Sequence, residues 1–206
     1  MKKSGGILIT FEGPEGSGKS TQSRRLAAWL RRQGYAVLVA REPGGTRIGR
    51  QLRRILLDPR SGALDSFTEL SLYIAARAEL VRQVLRPALK AGKVVLLDRF
   101  QDSTWVYQGY AGRVDRKLVE RLGQAALGEV VPKLTILLDL PVRIGLKRVT
   151  SPNRFEAKPV AYHNKVRKGY RVLQRREPKR IRLIRADQSA EQVQQQIRKE
   201  VQNFLS

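Results

Sequence analysis

The chain has 206 residues, of which 41 are lysine or arginine and 18 are aspartate or glutamate, giving a formal net charge of +23. This length fits one domain with a substantial core. The absence of cysteine and the presence of one histidine exclude disulfides, thiol nucleophiles and clusters of cysteine or histidine metal ligands. We expect this histidine, His163, to lie at the surface. The sequence has no apolar run of membrane-spanning length and opens on MKKSGG without an apolar signal segment, so we expect a cytoplasmic protein with no membrane partner.

Much of the positive charge lies between residues 143 and 185, where Glu156 and Glu177 are the only acids. Aromatic residues are not interleaved there as stacking positions, which favours a solvated basic face over a nucleic-acid groove. The charge could also attract phosphorylated small molecules.

The most specific pattern is GPEGSGKS at residues 13–20, between an apolar segment at 6–12 and a segment with helical apolar spacing at 19–32. Gly13, Gly16 and Gly18 let the backbone turn its N–H groups toward an anion, while Lys19 reaches phosphates and Ser20 can bind Mg²⁺. The N-terminus of the following helix favours the same anion. This context predicts a nucleotide-binding loop rather than a chance glycine-rich turn, with Lys19 facing solvent.

Strand and helix patterns alternate along the chain. We predict strands near residues 6–12, 36–40, 94–98, 135–139 and 181–185, and helices starting after Gly45, at 65 or 66, at 115, after Pro141, after Pro159 and after Ser189. Continuous apolar strands such as VVLLD and TILLD are typical of a parallel sheet covered on both faces. The sequence therefore predicts an α/β fold that binds ligands at the carboxyl ends of its strands.

Two predicted strands end in aspartate, Asp98 and Asp139, and either could help hold Mg²⁺ beside a phosphate loop. Asp98 is followed by Arg99 and a polar run, whereas Asp139 is followed by Leu-Pro, which indicates a strand exit. We therefore favour Asp98, although Asp98 and Arg99 could also form a local ion pair that caps the strand.

Three other segments are modest in isolation. REPGGT at residues 41–46 forms a polar turn after the second strand. Tyr73 and Arg77 are four residues apart in a helical pattern and therefore share one face of the helix. Such a pair is more often just one core residue and one surface residue. Tyr107 begins the tripeptide YQG.

Together, FEGPEGSGKST, REPGGT, the Tyr73–Arg77 pair, DRF with Ser103, YQG, and LDL followed by GLKR and NRFE resemble the thymidylate kinase family over nearly the whole chain. The resemblance implies a P-loop nucleoside monophosphate kinase fold, with a five-stranded parallel sheet flanked by helices. It implies a single domain over residues 1–206 with a short mobile lid at about 148–158. It also implies a homodimer that uses Mg²⁺ and transfers the γ-phosphoryl group of ATP to dTMP, giving dTDP.

The family pattern carries over position by position. The implied catalytic residues are Lys19, Asp98, Arg99 and Arg154, and the implied metal ligands are Ser20 and Asp98. The implied ATP-binding residues are Gly13, Pro14, Glu15, Gly16, Ser17, Gly18, Lys19, Ser20, Thr21 and Arg148. The implied dTMP-binding residues are Glu15, Glu42, Pro43, Tyr73, Arg77, Arg99, Ser103, Thr104, Tyr107 and Gln108.

The resemblance also implies individual roles in the acceptor site. Tyr73 stacks on thymine and Arg77 hydrogen-bonds the carbonyl edge of that base. Glu15 faces the deoxyribose 3′-OH, and Tyr107 crowds the sugar 2′ position. Arg99 bridges the phosphates of donor and acceptor.

The chain departs from the family pattern at the lid and near the adenine site. Only VTSPN separates Arg148 from Arg154, and Asn153 stands where many relatives have aspartate. Gly16 replaces an arginine that some relatives carry, so we expect Arg154 to supply the lid cation. Arg148 is the second candidate for this role, and it is also a candidate for stacking on adenine. Arg185 replaces an expected acid near the adenine site.

Two alternatives remain open. The first is a kinase of the same fold that acts on another small monophosphate, which REPGGT and YQG argue against. The second is a basic nucleic-acid-binding P-loop protein, suggested by charge alone, and we expect no sequence-specific nucleic-acid partner. A salt titration on DNA separates this alternative, because binding through many phosphates weakens by orders of magnitude as salt rises.

Overall fold

The computed structural model describes residues 5–112 and 114–205. Its five strands form one parallel sheet in the order β2-β3-β1-β4-β5, which confirms the predicted architecture. The strands are β1 Ile7–Glu12, β2 Val37–Arg41, β3 Val94–Asp98, β4 Leu134–Asp139 and β5 Ile181–Arg185. Phe11 of the central strand β1 pairs in register with Asp98 of β3 and Ile136 of β4, so the carboxyl ends of these three strands meet at one edge.

Helices follow each strand, and the predicted helix starts are confirmed. The α-helices are α1 Lys19–Arg32, α2 Arg47–Leu57, α3 Ser66–Leu80, α4 Arg86–Lys90, α5 Gln101–Thr104, α6 Arg116–Leu127, α7 Val142–Lys147, α8 Val160–Arg176 and α9 Ala190–Leu205. A π-helical turn, Val81–Leu85, joins α3 to α4, and a second, Trp105–Tyr110, continues α5. A short 3₁₀ turn, Pro59–Ser61, follows α2.

Side chains that accept backbone hydrogen bonds fix three of these starts. Thr46 accepts from the Gly49 N–H at 2.9 Å before α2, Asp65 accepts from the Phe67 N–H at 2.9 Å before α3, and Asp115 caps α6. Each cap satisfies a backbone donor that the first helical turn leaves unpaired.

Apolar clusters cover both faces of the sheet. Ile9, Phe11 and Leu96 pack against α1 and α9 on one face, while Leu8 and Val95 pack against α3 and α4 on the other. A further cluster lies beneath α8 and includes Tyr107, Phe155 and Tyr170. The acidic residues Glu12, Asp98 and Asp139 end their strands at the carboxyl edge of this covered sheet. Among the described helices, none has both the length and the apolar character needed to cross a membrane.

Candidate active site

The phosphate loop connects β1 to α1, as predicted, and its glycines are required by the backbone. Gly13, Gly16 and Gly18 have positive φ angles of 140°, 67° and 88°. A Cβ atom added at Gly16 would lie 2.1 Å from the carbonyl oxygen of Gly145, and one added at Gly13 would lie 2.4 Å from that of Leu138. The loop therefore tolerates only glycine at these two positions, which let it turn tightly against the neighbouring backbone.

Lys19 is buried, so the expectation of a solvent-facing lysine is wrong. Its Nζ donates to the carbonyl oxygens of Gly13 at 3.0 Å and Pro14 at 2.7 Å, and to the Ser17 hydroxyl at 3.2 Å. Burial, followed by the charge of Arg99, lowers the pKa of Lys19 to about 8, against the opposing effect of the nearby carboxylates. The ammonium group lies inside the loop because the loop carbonyls replace its water.

Ser20 and Asp98 meet at the mouth of the loop, where the Ser20 hydroxyl donates to the Asp98 carboxylate. A hydroxyl and a carboxylate are hard oxygen ligands that suit Mg²⁺ together with phosphate oxygens and water. Asp139 is engaged elsewhere, because its carboxylate accepts from Arg167 at 2.8 Å and from Arg171 at 2.7 Å. No cluster of three or more acidic, cysteine or histidine side chains that could hold a metal occurs within residues 5–112 and 114–205.

Arg99 occupies the turn after β3 in a strained backbone conformation, with a φ of 67°. Its guanidinium pairs with Glu15 at 3.1 Å, so the alternative of a local Asp98–Arg99 ion pair gains no support from the geometry. It also donates to the Ser103 and Tyr170 hydroxyls, each at 3.1 Å. The guanidinium is thus held beside the phosphate loop by contacts from several elements.

Glu15 is a loop residue whose carboxylate is buried among donors. Burial alone would raise its pKa, but the neighbouring His163, the Arg99 and Lys19 charges and the Tyr107 hydroxyl together lower this pKa to about 2. Tyr107 donates to Oε1 at 2.6 Å. His163 is itself buried, with 1% of its surface exposed, so the expectation of a surface histidine is wrong.

Glu12, at the end of β1, holds the Arg99 turn in place. Its carboxylate accepts from the Phe100 N–H at 2.8 Å, the Ser103 hydroxyl at 2.6 Å and the Tyr170 hydroxyl at 2.9 Å. Burial, followed by repulsion from Asp102, raises the pKa of Glu12 to about 7. The carboxyl group is therefore partly protonated near neutral pH.

We expect Glu12→Gln to change how stability depends on pH. A folded-state pKa raised from 4.5 to about 7 means that the stabilising contribution of Glu12 is complete below the lower value and lost as pH rises through the higher one. The neutral amide does not ionise, so the stability of the variant relative to the wild type should increase between these pH values. Urea unfolding of both proteins across this range measures the difference. Parallel curves would show that Glu12 does not titrate there.

Arg77 and Glu42 form a fully buried ion pair. The Arg77 Nε donates to Glu42 at 3.1 Å and Nη2 donates to the same carboxylate, while Thr104 accepts from Nη2 at 2.7 Å and Gln101 accepts from Nη1. A guanidinium has five N–H groups, and these contacts leave one Nη1–H. Arg77 thus lines the cavity with its orientation fixed and one donor remaining for a ligand.

A cavity of about 300 Å³ connects the phosphate loop to this pair. Tyr73 lies on its wall, and Phe155 from the segment between α7 and α8 packs edge-on against Tyr73 and Tyr107, with ring centroids 6.2 and 5.9 Å apart. Aromatic walls and a fixed guanidinium are suited to a planar ring with polar edges.

The structure brings most of the predicted site residues into the lining of this cavity. They are Glu15, Gly16, Gly18, Lys19, Ser20, Thr21, Glu42, Pro43, Tyr73, Arg77, Asp98, Arg99, Ser103, Thr104, Tyr107 and Gln108. Gly13, Pro14 and Ser17 lie behind the loop, where they contact Lys19. Sequence reasoning missed the lining residues Arg53, Leu57, Phe100 and Phe155, although Phe100 belongs to the DRF segment and Phe155 to the NRFE segment.

The two arginines of the predicted lid lie outside the lining. Arg154 donates to Glu69 at 2.5 Å and to the Leu56 carbonyl oxygen at 2.9 Å, while Glu69 also accepts from Gln108 at 2.7 Å. Arg148 donates to the Gly16 carbonyl oxygen at 3.1 Å, directly on the phosphate loop. The catalytic role of Arg154 and the adenine contact of Arg148 therefore stay predictions.

Comparisons with known proteins agree with this geometry. The family model described as thymidylate kinase matches residues 11–197. The thymidylate kinase of Desulfovibrio desulfuricans is 46% identical and covers 97% of this chain and 96% of its own, and that of Syntrophotalea carbinolica is 49% identical over 91% of both chains. The crystal structure of thymidylate kinase from Ehrlichia chaffeensis is similar with a TM-score of 0.79 and 32% identity, covering 96% of this chain and 99% of that chain.

Proposed function

The chain belongs to the thymidylate kinase family, and we propose that it transfers the γ-phosphoryl group of ATP to dTMP in the presence of Mg²⁺. The observation that carries the proposal is one cavity, which is lined both by the phosphate loop and by the Arg77–Glu42 pair with Tyr73. A donor and an acceptor nucleotide can thus meet beside Arg99.

In this proposal the protein acts by positioning and by charge. Lys19 neutralises the phosphates of ATP, Arg99 bridges the phosphates of donor and acceptor, and the loop N–H groups hold the donor. Ser20 and Asp98 would hold Mg²⁺, which when bound would supply charge stabilisation at the phosphate oxygens. Lys19 is buried and Arg99 is partly buried, which strengthens these interactions because water screens them less.

The direct test is product identification. The purified protein with ATP, dTMP and Mg²⁺ should give equimolar dTDP and ADP by anion-exchange chromatography. A chelator should stop both products and added Mg²⁺ should restore them. ADP without dTDP would indicate a different acceptor and contradict the proposal.

Base choice follows from the donors of Arg77. Thymine presents a carbonyl acceptor at position 4, whereas cytosine presents an amino donor, and Arg77 can only donate. Unpaired buried polar groups cost about 1 to 3 kcal/mol each, so we expect dCMP to be at least about a hundredfold poorer as an acceptor. dUMP lacks only the methyl group of dTMP, so its kcat/KM should be about tenfold to a hundredfold lower.

We expect removal of the Arg77 guanidinium to narrow the difference in kcat/KM between dTMP and dCMP. Arg77→Ala alone leaves the buried Glu42 charge unpaired, at a cost of about 3 to 5 kcal/mol in stability. The double variant Arg77→Met, Glu42→Gln removes both charges, and Glu42→Gln alone is its control. The ratio of kcat/KM for dTMP and dCMP should fall at least about tenfold in the double variant. A ratio equal to that of the control would show that Arg77 does not read the base.

We further propose that residues 148–158 act as a lid, with Arg154 as its cation. Arg154 must then leave Glu69 to reach the phosphates, so Arg154→Ala should lower kcat at least about tenfold while changing the affinity for ATP by less. Glu69→Gln weakens the same ion pair but keeps the arginine, and should retain most of kcat. Equal losses of kcat and stability in both variants would assign Arg154 a structural role and favour Arg148.

We also propose a homodimer. Ile48 and Ile55 lie two turns apart on one face of α2 and are exposed, as is Phe67 at the start of the neighbouring α3. Exposed apolar groups on adjacent helices are typical of a subunit interface. Light scattering should give about twice the chain mass, and Ile55→Glu should shift it toward the monomer.

A further inference from the structure

The imidazole of His163 is a buried polar group that the proposed chemistry does not use. It lies in the first turn of α8, and its Nδ1 is 3.4 Å from Oε2 of Glu15. Neither ring nitrogen, nor Oε2 of Glu15, makes a hydrogen bond within the described part of the chain. Two unpaired polar groups thus face each other across a short gap. Buried polar groups without a hydrogen bond are rare in native proteins.

The other oxygen of Glu15 is already fixed. Oε1 accepts from the Tyr107 hydroxyl at 2.6 Å and from Arg99 at 3.1 Å. His163 is therefore the group placed to fix the second oxygen, and a small side-chain adjustment brings 3.4 Å into the range of an N–H···O hydrogen bond.

We propose that His163 is a positioning residue whose Nδ1–H donates to Oε2 of Glu15. With both oxygens bound, the carboxylate can no longer rotate. Nε2 has no hydrogen-bond partner among the described residues. In its neutral form the ring therefore carries its single proton on Nδ1, which faces Oε2 of Glu15.

The position of His163 in the chain links two parts of the site. Glu15 belongs to the phosphate loop, whereas α8 begins at Val160, directly after the segment proposed as the lid. A movement of the first turn of α8 therefore moves the donor relative to the Glu15 carboxylate. The consequence for catalysis rests on the proposed function and on the role at the acceptor sugar that the family resemblance implies for Glu15.

Nuclear magnetic resonance tests the hydrogen bond without any activity measurement. His163 is the only histidine of the chain, so the imidazole ¹⁵N spectrum needs no assignment. At mildly alkaline pH, where a free imidazole is neutral, we expect Nδ1 to show the shift of a protonated nitrogen and Nε2 that of an unprotonated one. The opposite pattern, or an average of the two tautomers, would overturn the proposal.

Glu15→Ala provides the matched control for this spectrum. Without the acceptor, the preference for Nδ1–H should disappear in a variant that circular dichroism shows to be folded. Its persistence would mean that another group sets the tautomer, which would also overturn the proposal. If Glu15→Ala does not fold, Glu15→Gln takes its place, and both ¹⁵N shifts should then move.

Kinetics separates positioning from packing. His163→Asn retains an N–H near the position of Nδ1, whereas His163→Leu keeps a buried side chain without a donor. We expect the leucine variant to raise the KM for dTMP about tenfold with a smaller change in kcat, and the asparagine variant to stay within about threefold of the wild type. Equal effects in both variants would assign His163 a packing role only. A wild-type protein that shows the Nδ1–H pattern but does not phosphorylate dTMP would contradict the proposed function and leave the hydrogen bond standing.

Discussion

Lys19→Ala is expected to lower kcat at least about a hundredfold, corresponding to about 2.7 kcal/mol of lost transition-state stabilisation. In the proposed mechanism, the ammonium group of Lys19 neutralises charge on the donor phosphates as the γ-phosphoryl group moves. Its present partners, the carbonyl oxygens of Gly13 and Pro14, show that it already lies within the anion-binding loop.

Two controls support the reading of this variant. Lys147→Ala removes an exposed lysine from α7 and should leave kcat unchanged. This variant controls for the loss of one positive charge from the protein. Thermal unfolding of Lys19→Ala should show a folded protein, although the freed carbonyl groups will cost some stability. Retention of more than about a tenth of wild-type turnover would contradict the role of Lys19.

Arg99→Ala is expected to reduce turnover by about two orders of magnitude or more, because in the proposed mechanism the guanidinium bridges the phosphates of donor and acceptor. The backbone provides an internal control, since Arg99 has a positive φ that glycine adopts more easily than alanine. Arg99→Gly should therefore be more stable than Arg99→Ala by about 1 kcal/mol while losing the same activity.

Steady-state kinetics compares the kcat values of the two variants, and urea unfolding compares their stabilities. Equal kcat values with different stabilities would assign the loss to the missing guanidinium. Recovery of activity in the glycine variant would instead indicate that Arg99 acts by holding the strand end.

The sequence predicted the fold and the phosphate loop well because both depend on local pattern. The strand starting near residue 6, the glycines of the loop and the caps at Thr46 and Asp65 are fixed by neighbouring residues. Asp98 meets Ser20, while Asp139 pairs with arginines of α8. This geometry is compatible with the choice of Asp98 as metal ligand, which stays a prediction.

Side-chain environments were less predictable because they depend on residues distant in the chain. Lys19 is buried by its own loop, and Arg154 pairs with Glu69 on α3. His163 carried a signal that we missed. It continues the buried stripe of α8 formed by Val166, Tyr170 and Leu173, whose spacing of three and four residues is that of a core-facing helix.

The most direct test of the central claim is an ADP-release assay with a panel of nucleoside monophosphates at fixed ATP and Mg²⁺. We predict the highest kcat/KM for dTMP, about tenfold to a hundredfold less for dUMP, and at least about a hundredfold less for dCMP and the purine monophosphates. A higher kcat/KM for any other monophosphate, or ADP release that depends on added DNA rather than on dTMP, would contradict it.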